Sequence, residues 1–208
     1  MRRDIALLVR LWCVARHVTS TPYQSQMKTD CTFRQALAHK VPPGGQVIEL
    51  GVASGEFSAA LLRTNPKIGL LCGIDKWDDH HNVEEMSEAL RLLSTVAEPH
   101  QCRLIRKSFS DALNDFADRS QDLIYVDGYA HTGQEQGRTL ADWWPKVKPG
   151  GIFAGHDYDE IAWPQTKKAV DRFVRSLCSA MNAPIPLNVI VGDDYASWWI
   201  KKPAQHNR

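Results

Sequence analysis

The sequence predicts an α/β fold: a mostly parallel sheet with helices on both faces, ending in an antiparallel hairpin. Three observations carry this. From Gln46 onward, short apolar runs rich in Val and Ile alternate with longer segments of helical period. Most of the runs lack strict alternation, as strands covered on both faces do. The last two runs are joined by Gly192-Asp193-Asp194, a turn sequence rather than a helical crossover.

Taken in order, the runs are 47–50, 70–74, 103–105, 123–126 and 152–154, followed by the hairpin strands 187–191 and 196–200. Helices are expected near 55–63, 83–97, 109–118, 133–146 and 163–181. The last is the clearest: Val170, Phe173, Val174, Leu177 and Met181 fall on one helical face. Residues 1–45 form a helical preamble that ends in the breaker Pro42-Pro43-Gly44-Gly45, so the main domain is expected over 46–203. Trp143-Trp144 and Trp198-Trp199 are expected to pack on a helix and an edge strand, with one member of each pair partly exposed.

The bulk properties narrow the function. A chain of 208 residues with 43% hydrophobic residues suits one full-sized globular domain. Lys and Arg number 25 against 24 Asp and Glu, a net charge of +1 that leaves no electrostatic footprint for wrapping nucleic acid. Cys13, Cys31, Cys72, Cys102 and Cys178 are odd in number, widely spread and without a CxxC pair. They read as reduced thiols of a cytoplasmic protein rather than a zinc cluster or disulfide framework. The apolar N-terminal run is interrupted by Arg10 and falls short of the roughly 20 residues that span a bilayer. An amphipathic helix is expected there, with no membrane partner, and it could pack against a second copy as a homo-oligomer.

In an open parallel sheet, ligands bind beyond the carboxyl ends of the strands. After the first strand stands Glu49-Leu50-Gly51-Val52-Ala53-Ser54-Gly55, where bare backbone and a helix start would meet a ligand. It is neither GxGxxG nor a P-loop. Glu49 would repel a phosphate but could hold an amine or hydroxyl. Asp75, 26 residues later, is placed to accept from two ribose hydroxyls, and Trp77 could cover a flat ring. Ser108 or Ser110 caps the next helix, and Ser108 or Phe109 could touch a base. Asp127, His156 and Asp157 offer oxygen and imidazole donors suited to Mg²⁺ or Mn²⁺. His131 is left as a general base. His80-His81 could overhang the cleft or lie in a solvated loop.

With these motifs in place, residues 46–159 resemble the class I S-adenosylmethionine-dependent methyltransferases. The stretch VIELGVASG, residues 47–55, resembles their glycine-rich first motif, and GIDKW, 73–77, their acidic second motif. DLIYVDG, 122–128, resembles the fourth, and VKPGGI, 147–152, the segment entering the fifth strand. The finer resemblance is to small metal-dependent O-methyltransferases that act on sugars, including those on macrolides and glycans. Two departures stand out. His131 comes four residues after Asp127 where three are usual, and His156 stands where a carboxylate is frequent.

The resemblance implies a Rossmann-like seven-stranded methyltransferase sheet. Glu49, Gly51, Ala53, Ser54 and Gly55 would line the methionine and ribose part of S-adenosyl-L-methionine. Asp75 would take the ribose hydroxyls, Lys76 and Trp77 would lie by the adenine, and Ser108 and Phe109 would flank the base edge. Asp127 would approach the cofactor and share the catalytic work with His131. Asp127, Asp157 and His156 would hold the metal. The acceptor would be a small molecule or glycan. A metal-independent enzyme acting on a small molecule or protein, or a non-catalytic nucleoside-binding module, are the other readings. A nucleic-acid methyltransferase is disfavoured by the absence of [DNS]PP[YFW], and a nicotinamide oxidoreductase by the absence of GxGxxG.

Overall fold

A computed structural model describes residues 33–78 and 81–204. The N-terminal amphipathic helix, Cys13, Cys31 and His80 lie outside the described residues.

Seven strands form one sheet in the order β3-β2-β1-β4-β5-β7-β6. They are β1 (Gln46–Leu50), β2 (Leu70–Asp75), β3 (Cys102–Arg106), β4 (Gln121–Val126), β5 (Val147–Gly155), β6 (Asn188–Ile190) and β7 (Ser197–Lys201). The first five are parallel; β7 runs antiparallel to both β5 and β6. The central strands are buried on both faces, which is why β1 and β4 are mainly apolar without strict alternation, Glu49 being the buried exception in β1. One face packs Ile48, Leu50, Ile124, Val126 and Phe153 beneath α6 (Pro164–Met181). The other packs Val47, Leu71, Leu123, Tyr125 and Ile152 beneath α1 (Glu56–Thr64). Each such fully buried side chain contributes about 1.5–3 kcal/mol of transfer free energy.

Helices differ from expectation where local chemistry ends them. α2 (Val83–Leu93) opens on a capping box, Asn82 with Glu85, and stops at Ser94 rather than 97. The segment after β3 splits into α3 (Phe109–Ala112) and a 3-10 turn, Leu113–Asp115. The single helix expected over 133–146 is three pieces: α4 (Gly133–Gln136), α5 (Arg138–Trp143) and the 3-10 turn Trp144–Lys146. The break has a clear cause. Gln134, Glu135 and Gln136 all have positive φ, between Gly133 and Gly137, so α4 is one left-handed turn.

The tryptophan expectation is corrected for β7. That strand is not an edge strand, because the three residues of β6 cover its outer side. Trp198 and Trp199 are both buried. Trp143 is buried and Trp144 half-buried, as expected.

Upstream of β1, the 3-10 segment Arg34–Lys40 packs against α1. Leu37, Ala38 and Val41 belong to the same core as Val47 and Phe57. Arg34 is thereby fixed at the carboxyl edge of the sheet.

Candidate active site

The carboxyl ends of β1 and β2 are tied together by one side chain. Asp75 Oδ2 accepts from the backbone N–H of Val52 (2.9 Å) and Ala53 (3.1 Å), and Oδ1 from that of Trp77 (3.1 Å). The Trp77 indole N–H donates to the Ala53 carbonyl at 2.9 Å. Ala53 and Trp77 both have left-handed backbones, a strain of about 1–3 kcal/mol each that these four hydrogen bonds offset. Tyr129 and Asp157, after β4 and β5, are left-handed too. Four left-handed residues thus stand just past the carboxyl ends of β1, β2, β4 and β5, the edge that shapes the cleft.

Gly51 sits at the centre of this cleft with φ +91°; a Cβ there would lie 1.8 Å from the Asp127 carbonyl oxygen. Only glycine permits β1 and β4 to end so close together. Gly51, Asp75, Lys76, His81, Phe109, Asp127, Gly128 and Tyr129 line the pocket. Phe109 and Tyr129 stand with ring centroids 4.8 Å apart.

Of the expected cofactor residues, Gly51, Asp75, Lys76, Phe109 and Asp127 line this pocket. Ala53, Ser54 and Gly55 form the turn into α1. Ser108 is the N-cap of α3, accepting from Asp111 N at 3.1 Å. Trp77 is only 1% exposed and packs with Val52 and Ala89 behind the glycine loop, so it shapes the pocket from within the core. Glu49 is buried beneath the loop and accepts a hydrogen bond from the Ser58 hydroxyl. Burial pushes its carboxyl up to about 8, with Asp127 and Asp75 adding to the rise; the Ser58 bond and Arg34 offset it only in part.

Across the cleft, Asp127, His156 and Asp157 place one ligand atom each within 4.8 Å of one another. His156 Nδ1 lies 3.6 Å from Asp127 Oδ1 and 3.3 Å from Asp157 Oδ1. Burial works against charge on this imidazole, but its bonds to the two carboxylates more than offset that and raise it to about 9. Its Nε2 is buried without a hydrogen-bond partner. The donor set, two carboxylates and an imidazole, fits a divalent cation once the imidazole proton leaves.

His131 is not part of this cluster. It is exposed on the 3-10 turn Ala130–Thr132 and packs edge-on against Trp163, centroids 4.8 Å apart. Trp163 meets Tyr195 at 5.8 Å, and Tyr195 faces His156 at 6.3 Å. Four rings from three loops, with His156 and Trp163 both in the β5–α6 connection, therefore run from the cluster to the rim.

Several of these residues carry no sequence signal. Arg34 donates to Asp127 Oδ2 at 2.9 Å and lies 4.6 Å over the Phe57 ring. Trp163 and Tyr195 come from the start of α6 and the β6–β7 loop. His81 does line the pocket, where it contacts Glu85 at 3.1 Å. Nothing in the sequence separates these from ordinary loop residues; only the capping box gives a local reason for the position of His81.

A family model described as "Methyltransferase domain" matches residues 48–158. The chain belongs to that family, and its fold is that of the class I S-adenosylmethionine-dependent methyltransferases. A protein from Corynebacterium glutamicum shares the fold with a TM-score of 0.63 at 16% identity, over 84% of this chain and 80% of that one. The O-methyltransferase TomG of Streptomyces achromogenes, involved in tomaymycin synthesis and solved with the cofactor, gives 0.60 at 16% identity over 83% and 80%. A SAM-dependent O-methyltransferase from Thermotoga maritima gives 0.56 at 16% identity over 83% and 64%. At such identities the likeness is one of fold. A curated relative, the uncharacterized protein y4gI of Sinorhizobium fredii, is 40% identical over 55 residues. That match covers 26% of this chain and 6% of the relative's length. Among the described residues, no helix is long and apolar enough to cross a membrane.

Proposed function

We propose that the chain transfers a methyl group from S-adenosylmethionine to a hydroxyl of a sugar or glycosylated small molecule, with a divalent cation held by Asp127, His156 and Asp157. The observation that carries this is the Asp127–His156–Asp157 cluster beside the bare backbone of Gly51. Methyl donor and acceptor oxygen would meet there.

Asp75 and Asp127 give the cleft acidic character, which suits a ligand with a sulfonium and an ammonium. Asp75 Oδ1 keeps a lone pair for a ribose hydroxyl beside its bond to Trp77. Trp163 and Tyr195 offer ring faces against which a sugar ring can lie. Bound to the acceptor oxygens, the cation would lower the hydroxyl pKa and orient it. In the transfer, the C–S bond of the sulfonium breaks as the O–CH₃ bond forms. Sulfur keeps the electron pair, and the hydroxyl proton would reach His131, which stands at the rim outside the cluster, by way of intervening water.

A metal-independent reaction on a small molecule is the second reading, favoured by one observation: Arg34 already places a positive charge on Asp127.

The test is transfer of labelled methyl from S-adenosylmethionine to a panel of glycosides, catechols and peptides, with Mg²⁺ or with EDTA. The proposed function expects glycoside products in Mg²⁺, loss in EDTA, and a roughly hundredfold or greater loss in Asp157→Ala. Undiminished transfer in EDTA and in Asp157→Ala supports the second reading. His131→Ala should lower kcat by about a hundredfold with little change in KM. An unchanged kcat removes His131 as the base.

A further inference from the structure

We infer that Arg34 is a tethered cation that competes with the divalent ion for Asp127, and so holds the site's metal affinity low. This rests on the metal reading above and concerns a residue outside the cluster itself.

The guanidinium is delivered from a rigid platform. Leu37 and Ala38, buried one turn later, fix the 3-10 segment to the core. The Arg34 backbone N–H donates to Asp193 Oδ2 at 3.0 Å, which anchors the segment to the β6–β7 loop. The side chain then crosses the Phe57 ring at 4.6 Å and ends 2.9 Å from Asp127 Oδ2. With the backbone held and the side chain packed, little conformational freedom is lost in making the pair.

The charge count decides the direction of the effect. With the His156 proton displaced by the ion, Asp127 and Asp157 bring two negative charges to the cluster, and Arg34 cancels one. A guanidinium does not deprotonate in a protein, so that charge is permanent. It also takes one of the two Asp127 oxygens, leaving Oδ1, the one that faces His156, for an ion. A 2+ ion entering the cluster therefore meets half the negative charge the carboxylates would otherwise present, with a fixed positive charge across one of them. Metal binding and the Arg34–Asp127 pair oppose each other. By reciprocity, cation binding loosens the hold of the 34–40 segment on the cleft.

The experiment is direct Mn²⁺ binding to the full chain, read by electron paramagnetic resonance at one pH. Arg34→Met is expected to bind Mn²⁺ at least about tenfold more tightly than the native chain, equivalent to about 1.4 kcal/mol. Arg34→Lys keeps the charge and is expected to stay within about threefold of native. Should Arg34→Met lose its cooperative unfolding transition, Asp193→Ala, which removes the acceptor of the Arg34 backbone N–H, carries the test with tighter Mn²⁺ binding expected. Equal or weaker binding in Arg34→Met, or in Asp193→Ala where that variant stands in, overturns the inference. Arg34 would then orient the carboxylate for the ion, and the metal reading would stand. No Mn²⁺ binding to native or variant at millimolar concentration overturns both.

Discussion

The two halves of the cleft are built differently. On the cofactor half, Asp75 binds three backbone N–H groups, Trp77 closes onto Ala53, and Ser58 holds Glu49. Every one of these groups lies between residues 49 and 77, and the network is closed. On the acceptor half, the partners come from residues 34, 127, 156, 157, 163, 193 and 195. They meet through an ion pair, two carboxylate–imidazole contacts and ring edges. There, His156 Nε2 and Trp163 Nε1 are buried without hydrogen-bond partners. A closed network costs stability when any member is removed. An open one leaves donors and acceptors for a ligand to satisfy. The first half reads as a fixed mould and the second as a surface completed by what binds.

Breaking the mould should have the largest effect. Gly51→Ala puts a Cβ against the Asp127 carbonyl at a left-handed φ. The expected cost is about 3 kcal/mol, a fall in Tm on the order of 10 °C by scanning calorimetry. Trp163→Ala probes the other half and should act more gently. It removes a ring that contacts His131 and Tyr195, and should raise the acceptor KM about tenfold while the cofactor KM stays unchanged in steady-state kinetics. An equal rise in both constants would erase the distinction between the halves.

The smallest effect is a pH slope. The Glu49 carboxyl, at about 8 when folded against 4.5 as a free group, keeps a proton that the unfolded chain releases. Its contribution therefore falls as pH rises from about 4.5 to 8. His156, raised to about 9 from 6.5, contributes stability below 6.5 that is lost as pH rises through 9. Glu49→Gln should flatten the urea-unfolding profile below pH 6.5 and leave the loss between 6.5 and 9. At pH 8 it should be more stable than the native chain. A profile parallel to native would show that the buried carboxyl is charged throughout.

The same contrast explains what was legible in the sequence. The succession of strands, the terminal hairpin and the glycine loop after β1 follow from local patterns: apolar runs, a turn sequence, and Gly51 with Gly55; the spatial order of the strands comes from the structure. Asp127, His156 and Asp157 were legible because each closes or follows a strand, and parallel strands end on one edge. Arg34, Trp163 and Tyr195 were not. They lie in a 3-10 segment, at a helix start and in a loop, and only the packing of Leu37 or the pairing of β6 with β7 brings them to the cleft. The left-handed turn at Gln134–Gln136 escaped for another reason: nothing in its composition distinguishes it from a right-handed one except its flanking glycines.

The division of the cleft is tested most directly by calorimetric titration of S-adenosylhomocysteine into the native chain, Gly51→Ala and Trp163→Ala. The native chain and Trp163→Ala should each bind one equivalent with the same Kd, and Gly51→Ala should bind at least about a hundredfold more weakly. Native-like binding in Gly51→Ala, or its loss in a folded Trp163→Ala, would contradict the assignment of the two halves.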